Sequence, residues 1–238
     1  MATMTNLLSS FPSDFRALIF GARGGLGAAF VDALEQRCQV TGMTRANIDI
    51  CDEAALAALA DREKAHGPLH LIINATGLLH DAAADIRPEK ALQQITAAVM
   101  AEVLAVNTIG PALIAKYFLP LLAREEKAVM AHLSARVGSI SDNRMGGWTS
   151  YRAAKAAQNM VVKNAAIETA RRDKQKIIIG LHPGTVDSDL SAPFQANVAA
   201  DKLFTPMQSV DYLLHVIDGL APQDSGKVFA WDGQEVPA

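Results

Sequence analysis

The chain has 238 residues, half of them hydrophobic, which is enough for one large α/β domain. A formal net charge of −3 offers no basic surface for nucleic acid, and the six histidines show no metal-ligand spacing. Cys38 and Cys51 are too few for a disulfide framework, so we expect a cytoplasmic protein. Residues 1–15 lack the features of a secretory signal. The sequence has no uninterrupted run of about eighteen apolar residues, so we expect no membrane span.

Short apolar runs and helical patterns alternate along the chain. Residues 1–15 are predicted to be an extension that forms a partly disordered tail. Packing of Leu7, Leu8 and Phe11 on the body or on an oligomer partner is the alternative. Residues 16–238 are predicted to form one domain, with strands at 17–20, 38–43, 48–50, 69–73, 128–133, 177–181 and 228–231. The predicted helices cover 28–37, a segment opened by Asp52-Glu53, 91–117, 149–172 and 210–220. This alternation predicts an α/β fold, a single Rossmann-type doubly wound parallel sheet flanked by helices on both faces.

The first strand is followed at once by a glycine-rich turn, Gly21-Ala22-Arg23-Gly24-Gly25-Leu26-Gly27, and then by a helical pattern. Glycines allow a tight turn and a close approach of the backbone to a pyrophosphate, and the N-terminus of the following helix attracts its negative charge. The spacing is Gly-x-x-x-Gly-x-Gly rather than Gly-x-Gly-x-x-Gly. Strand, turn and helix together predict a nucleotide-binding unit.

The end of the second strand indicates which dinucleotide would bind. Folds specific for NAD usually place an acidic residue there to hold the ribose 2′-hydroxyl. Here the strand ends in Thr44-Arg45, and Arg45 together with Arg23 can form charge-assisted hydrogen bonds with a 2′-phosphate. We therefore predict NADP(H) in preference to NAD(H). Two solvated surface arginines are the alternative.

Tyr151 and Lys155 lie four residues apart in a long helical pattern, a spacing that places both side chains on one face. An ammonium group beside a phenol favours the phenolate and lowers the pKa of the tyrosine, which would let it exchange a proton near neutral pH. For this pair taken alone, chance spacing is the alternative.

Residues 186–206 contain Pro193 and Pro206 and form a long connection for a compact domain, so they are predicted to be a substrate lid. Trp148, Leu190 and Phe194 either line an apolar wall with Pro193 or are ordinary packing.

These motifs, in this order, resemble the classical short-chain dehydrogenase/reductase family from Arg16 onward. The stretch 133–140, followed by Tyr151-Arg152-Ala153-Ala154-Lys155, is most similar to the sniffer and C-factor branch of its carbonyl reductases. The resemblance implies that Asn107, Tyr151 and Lys155 are catalytic. It also extends the nucleotide site to the Asn74-Ala75-Thr76-Gly77 element, which departs from the family at Ala75 and Thr76. The cofactor-binding residues predicted in this way are Gly21, Arg23, Gly24, Gly25, Leu26, Gly27, Thr44, Arg45, Asp49, Ile50, Asn74, Ala75, Gly77, Tyr151, Lys155, Pro183, Gly184 and Val186.

The serine of the family's active site has no unambiguous counterpart. The family usually has a Ser-Ser pair at the end of the fifth strand, whereas this chain has Ser134-Ala135. Ser134 is the favoured candidate, provided that a local twist of the strand end re-aims its side chain. Ser139, twelve residues before Tyr151, is the second candidate, and a weakened serine function is the third possibility.

The resemblance implies an oxidoreductase that acts on a small-molecule carbonyl or alcohol. In such an enzyme the serine binds the carbonyl oxygen, Tyr151 protonates it, Lys155 holds the nicotinamide ribose, and Asn107 supports Lys155 through a water. A homodimer or homotetramer is implied as well, packed through the helices that begin near Ala91 and Thr149, with no membrane partner. A cofactor-binding regulatory or cell-signalling protein with little turnover is the main alternative, and an epimerase or dehydratase on the same scaffold is another. The chain contains no Gly-x-Ser-x-Gly element, which argues against a hydrolase.

Overall fold

The computed structural model describes residues 7–238 and is built around a six-stranded parallel sheet with the order β2-β1-β3-β4-β5-β8. The strands are β1 (Arg16–Phe20), β2 (Gln39–Met43), β3 (Leu71–Asn74), β4 (Ala128–Leu133), β5 (Lys176–His182), β6 (Thr185–Val186), β7 (Leu203–Phe204) and β8 (Val228–Ala230). The helices are α1 (Gly25–Leu34), α2 (Glu53–Ala65), α3 (Ala97–Leu104), α4 (Gly110–Phe118), α5 (Thr149–Ala170) and α6 (Pro206–Gly219).

Helices cover both faces of the sheet. Alternate residues of each strand point to opposite faces, so Ile19 and Ile73 pack with α1 and α6, whereas Leu18 and Ile72 pack with α2, α4 and α5. The strands are therefore buried on both sides, as the continuous apolar runs of the sequence indicate. This architecture confirms the predicted fold class.

The predicted strand at residues 48–50 is wrong. Ile48 and Ile50 are buried on the α2 side of the sheet, but the segment is irregular and pairs with no strand in the described part of the chain. The Asp49 side chain accepts a hydrogen bond from the backbone N–H of Cys51 at 2.9 Å, which turns the chain toward α2. The alternating pattern therefore reflects burial of the two isoleucines.

The predicted helix at 91–117 is interrupted. A 3₁₀ turn at Leu92–Gln94 precedes α3, and a π-helical turn at Ala105–Ile109 separates α3 from α4. Pro111 has no N–H to donate to the carbonyl of Asn107 four residues earlier, which weakens ordinary helical bonding at this place. Such turns frequently occur at functional sites, and this one contains Asn107.

The stretch Ala97–Leu121 is long and apolar enough to cross a membrane by length and composition, with a mean hydropathy of 1.7 over its most apolar window. The sequence criterion of an uninterrupted apolar run did not detect it, because Glu102, Asn107 and Lys116 interrupt the run. In the structure the stretch packs against α2 and α5.

Residues 7–15 pack on the sheet face that α1 and α6 cover. Leu8, Phe11 and Phe15 are buried there, and the backbone N–H of Ser10 donates to a carboxylate oxygen of Asp218 in α6 at 2.9 Å. The expectation of a partly disordered tail is therefore wrong for residues 7–15. Residues 1–6 lie outside the described part of the chain.

The predicted lid, residues 186–206, has local structure of its own. Strands β6 and β7 pair in parallel at its two ends, and 3₁₀ turns cover Ala192–Asn197 and Ala200–Lys202. Its function as a lid stays a prediction.

Candidate active site

The glycine-rich turn joins β1 to α1 in a conformation that requires glycine. Gly21 has a φ of +82°, and a Cβ atom there would lie 2.9 Å from the carbonyl carbon of Ala75. A Cβ on Gly27 would collide with the carbonyl of Gly21. No side chain caps the N-terminus of α1, so its first N–H groups remain available to an anion such as a pyrophosphate.

A cavity of about 410 Å³ opens beside this turn, at the carboxyl ends of β1, β2 and β3. The predicted cofactor residues that line it are Gly21, Arg23, Gly24, Thr44, Arg45, Asp49, Ile50, Ala75 and Gly77. The wall also contains residues that the sequence interpretation missed, namely Met43, Ile48, Thr76, Leu78, Asp81, Glu102 and Val106. Most of these adjoin a motif residue, which is the signal that could have found them. Glu102 and Val106 come from α3 and the π-helical turn and needed the fold.

The two arginines of the cavity wall share it with three acidic residues, Asp49, Asp81 and Glu102, but are not paired with them. Within residues 7–238, neither Arg23 nor Arg45 forms an ion pair or a hydrogen bond, and both side chains are exposed. A phosphate group entering the cavity would be their charge partner. The glycine turn, the uncapped helix and the two arginines together fit an anionic dinucleotide.

Two predicted asparagines shape the turn that forms the opposite wall. The side-chain oxygen of Asn74 accepts from the N–H of Thr76 at 3.2 Å and from its hydroxyl at 2.6 Å. Asn107 donates to the carbonyl of Leu78 at 2.7 Å and accepts from its N–H at 3.1 Å. Asn107, a residue of low helix propensity, thus makes specific bonds in the middle of a helical segment.

Tyr151 and Lys155 lie one turn apart near the N-terminus of α5, as predicted, and both are buried. The Lys155 Nζ lies 5.7 Å from the centroid of the Tyr151 ring. The amine donates to the carbonyl of Leu133 at 2.8 Å and to the side-chain oxygen of Gln158 at 2.9 Å. The structure therefore brings the predicted pair together at the carboxyl end of β4.

Burial controls the titration of this pair. It lowers the pKa of Lys155 to about 7 and raises the pKa of Tyr151 above its ordinary value. The expected lowering of the tyrosine pKa by the neighbouring ammonium is thus wrong for the protein groups by themselves. Burial removes the hydration that stabilises a phenolate. Lys155 does not make up for this loss, because burial also favours its neutral form.

Neither candidate serine makes a hydrogen bond to Tyr151 in the described structure. The Ser134 hydroxyl donates to the side-chain oxygen of Asn159 at 2.6 Å, and Asn159 lies eight residues, about 12 Å along the helix, from Tyr151. Ser139 is buried in a turn, where its hydroxyl accepts from the N–H of Asp142 at 3.1 Å. Ala135 is one of the partly buried residues that pack against the hydrophobic cluster containing Tyr151.

The N-terminus of α5 is capped by a buried acid that the sequence interpretation missed. The Glu89 carboxylate accepts from the N–H of Ser150 at 3.2 Å and from its hydroxyl, and the Glu89 carbonyl accepts from the N–H of Trp148 at 2.5 Å. Trp148 has a φ of +51°, unusual for a bulky residue, so these bonds hold a strained entry into the helix directly before Tyr151. Glu89 lies 61 residues from Ser150, so no local signal could have indicated it.

The loop after β5 approaches the glycine turn. Gly184 has a φ of +77°, and a Cβ there would lie 2.7 Å from the Phe204 ring, so the predicted Pro183-Gly184 turn needs its glycine. Val186 is buried. The sequence interpretation missed Ser188, which lies close to Gly25. A Cβ atom on Gly25 would lie 3.1 Å from the Cβ atom of Ser188. These residues, with Leu26, Gly27 and Asn74, border the site outside the 410 Å³ cavity.

Aromatic side chains connect the 186–206 segment to the region of Tyr151. The Phe194 ring lies 4.7 Å from the Trp148 ring and 5.9 Å from the His80 ring, centroid to centroid. The His80 ring nitrogen lies 2.9 Å from the carbonyl oxygen of Asp189. Phe194 and Trp148 pack against the cluster that contains Tyr151. Among residues 7–238, no group of three histidine, cysteine or acidic side chains is arranged to hold a metal ion.

Comparison with known proteins agrees with this geometry. The profile of the family described as short chain dehydrogenase matches residues 35–199. C-signal from Myxococcus xanthus is 34% identical over 171 residues, which is 72% of this chain and 93% of C-signal. The 1-hydroxy-2-glutathionyl-2-methyl-3-butene dehydrogenase of a Rhodococcus species is 38% identical over 128 residues, 54% of each chain.

Solved structures extend the likeness over almost the entire fold. The NADPH-bound carbonyl reductase from chicken fatty liver superposes with a TM-score of 0.80 at 23% identity, covering 95% of this chain and all of the other. The carbonyl reductase Sniffer of Drosophila melanogaster gives 0.77 at 19% identity, covering 94% and 100%. The family profile spans more than half of the chain. The chain therefore belongs to the short-chain dehydrogenase/reductase family of oxidoreductases.

Proposed function

We propose that this protein is an NADP(H)-dependent oxidoreductase that interconverts a small-molecule carbonyl compound and its alcohol. The observation that carries the proposal is the buried Tyr151–Lys155 pair at the carboxyl edge of the sheet, beside a glycine-lined cleft. When bound, the nicotinamide would supply or accept the hydride.

The preference for NADP(H) rests on Arg23 and Arg45. Both line the cavity without a charge partner among the described residues, and a 2′-phosphate would provide one. The chicken liver carbonyl reductase of similar fold binds NADPH. Against this preference, Asp49, Asp81 and Glu102 add negative charge to the same wall.

In the proposed reaction Tyr151 donates a proton to the carbonyl oxygen of the substrate, or removes it in the reverse direction. Lys155 supplies the neighbouring positive charge that a tyrosine with a raised pKa needs in order to release its proton. Asn107, held between Leu78 and its own helix, fixes the wall of the cleft next to this pair.

For the serine we propose the third of the possibilities that the sequence leaves open. Ser134 is bonded to Asn159, and Ser139 is part of a turn, so the hydroxyl function beside Tyr151 is weakened, with Ala135 in its place. A carbonyl would then be polarised mainly by Tyr151. We propose an apolar aldehyde or ketone as substrate, enclosed by Trp148 and by Phe194 of the predicted lid.

The second candidate is a regulatory protein that binds the cofactor with little turnover. The observations that favour it are Ala135 and the 34% identity to C-signal over nearly all of that protein. A cytoplasmic location and a homodimer or homotetramer also stay predictions.

The test is a fluorescence titration of the purified protein with NADPH and NADH, followed by a panel of apolar aldehydes and ketones. Tighter binding of NADPH together with NADPH oxidation that requires a carbonyl compound would support the oxidoreductase. Binding of NADPH without turnover on any compound would favour the regulatory candidate. If neither nucleotide binds, both candidates fail.

A further inference from the structure

Lys155 lies in a buried environment that disfavours a charged ammonium group. Only 2% of the residue is exposed, and Gly138 packs so closely that a Cβ there would lie 2.8 Å from the Lys155 Cβ. A charge that has lost its water must find hydrogen-bond acceptors in the protein. The acceptors present therefore decide both whether Lys155 is charged and where its protons point.

One of the two acceptors is a side chain with no role in the site described above. Gln158 follows Lys155 by three residues on α5, is fully buried, and accepts from the Lys155 Nζ at 2.9 Å. Its own amide nitrogen has only a long contact, 3.4 Å, to the carbonyl of Leu133. An apolar residue would fill this interior position at a lower desolvation cost, so the glutamine is best explained by its bond to Lys155.

An ammonium group has three protons. The Leu133 carbonyl and the Gln158 oxygen accept two of them, which leaves one proton for the side of the site where Tyr151 lies. We infer that Gln158 is a positioning residue: together with the Leu133 carbonyl it holds the Lys155 ammonium so that its third proton is directed toward the cofactor ribose and Tyr151. The inference rests on the proposed oxidoreductase function.

The titratable groups around Lys155 do not stabilise its positive charge, so Gln158 is the main side chain that does. Tyr151 faces it from the same helix, and His132 faces it from β4. Burial, with the charge of Lys155, lowers the pKa of His132 to about 3, so His132 is neutral and does not repel the ammonium group. Without Gln158, one backbone carbonyl would remain to stabilise the ammonium group.

Gln158→Met and Gln158→Glu test the inference in opposite directions. Methionine keeps the length of the side chain and removes the acceptor, whereas glutamate makes the acceptor negative. A hydrogen bond to a charged group is worth about one to two pKa units, so the pKa of Lys155 should fall by about one unit in Gln158→Met and rise by about one in Gln158→Glu. The measurement is an NMR titration of lysine labelled with ¹³C at Cε, on the full chain without added nucleotide.

The same variants should move the pH profile of carbonyl reduction. Because the reaction needs Lys155 charged, the alkaline limb of kcat/KM should shift down by about one pH unit in Gln158→Met and up in Gln158→Glu. Asn159→Leu is the matched control: it removes the neighbouring amide, which bonds to Ser134, and should leave the pKa of Lys155 unchanged.

Equal pKa values of Lys155 in wild type and Gln158→Met would overturn the inference, and so would shifts of the same sign in both variants. If Gln158→Glu does not fold, the Gln158→Met comparison with Asn159→Leu decides alone. The NMR result is independent of turnover, so a wild-type protein without reductase activity would refute the proposed function and leave the Lys155–Gln158 measurement to be judged separately.

Discussion

The candidate site has two ends, the cavity with Arg23 and Arg45 and the region of β4 and α5, which contributes no residue to the lining of that cavity. The two ends hold their positive charges in opposite ways. At the end formed by β2, Arg23 and Arg45 are exposed and have no partner among residues 7–238. At the end formed by β4 and α5, Lys155 is buried and bonded to two protein oxygens. Exposed charges keep their hydration until a ligand arrives, whereas a buried charge depends on each neighbour. We therefore expect the first end to select a ligand, whereas the second is organised by bonds within the protein.

The largest effect is expected at the buried end. Tyr151→Phe removes the proposed acid and leaves the ring packing, so kcat/KM for carbonyl reduction should fall by about 10²–10⁴-fold. The affinity for NADPH should change little, since the exposed arginines remain. Tyr212→Phe, on a partly exposed tyrosine of α6, is the control. Turnover within about threefold of wild type in Tyr151→Phe would show that this pair does not perform the chemistry.

A smaller, ligand-specific effect is expected at the exposed end. Arg45→Ala removes a charge that the fold does not use, so the free energy of unfolding should stay the same. The loss of a charged hydrogen bond of about 1.5–3 kcal/mol would raise the Kd for NADPH by about 10–100-fold, with the Kd for NADH unaffected. Arg62→Ala, in the last turn of α2, is the control for net charge. Equal weakening for both nucleotides would remove the NADP(H) preference.

The smallest effect tests the serine position. The loss of one hydrogen-bond donor to a developing oxyanion costs about 10²–10³-fold in kcat. Ala135→Ser would supply such a donor, but in a site that is not arranged around it, so we expect kcat to rise by only about tenfold. Ser134→Ala should leave kcat nearly unchanged, because that hydroxyl is bonded to Asn159. A strong loss in Ser134→Ala, with no gain in Ala135→Ser, would return the catalytic function to Ser134.

The exposed end was the more predictable of the two. The glycine turn with Arg23 and its flanking strand and helix, and Arg45 just after β2, were identified from short continuous segments. Nine of the predicted residues line one cavity. Errors arose where a local pattern had two physical causes. At Ile48 and Ile50 the alternation reflected burial without strand pairing, and at Pro111 a continuous helical pattern concealed a change of hydrogen bonding.

By itself, the sequence determined most strands of the parallel sheet, the phosphate-binding turn and the shared face of Tyr151 and Lys155, because each depends on spacing within one element or its immediate neighbours. Only the tertiary structure decided which side chain binds the Ser134 hydroxyl, which acid caps α5, and which acceptor holds Lys155. The raised pKa of Tyr151 has the same origin, because it results from burial in the folded protein. The energies of buried polar groups are set by contacts between segments far apart in the chain, and no local spacing encodes them.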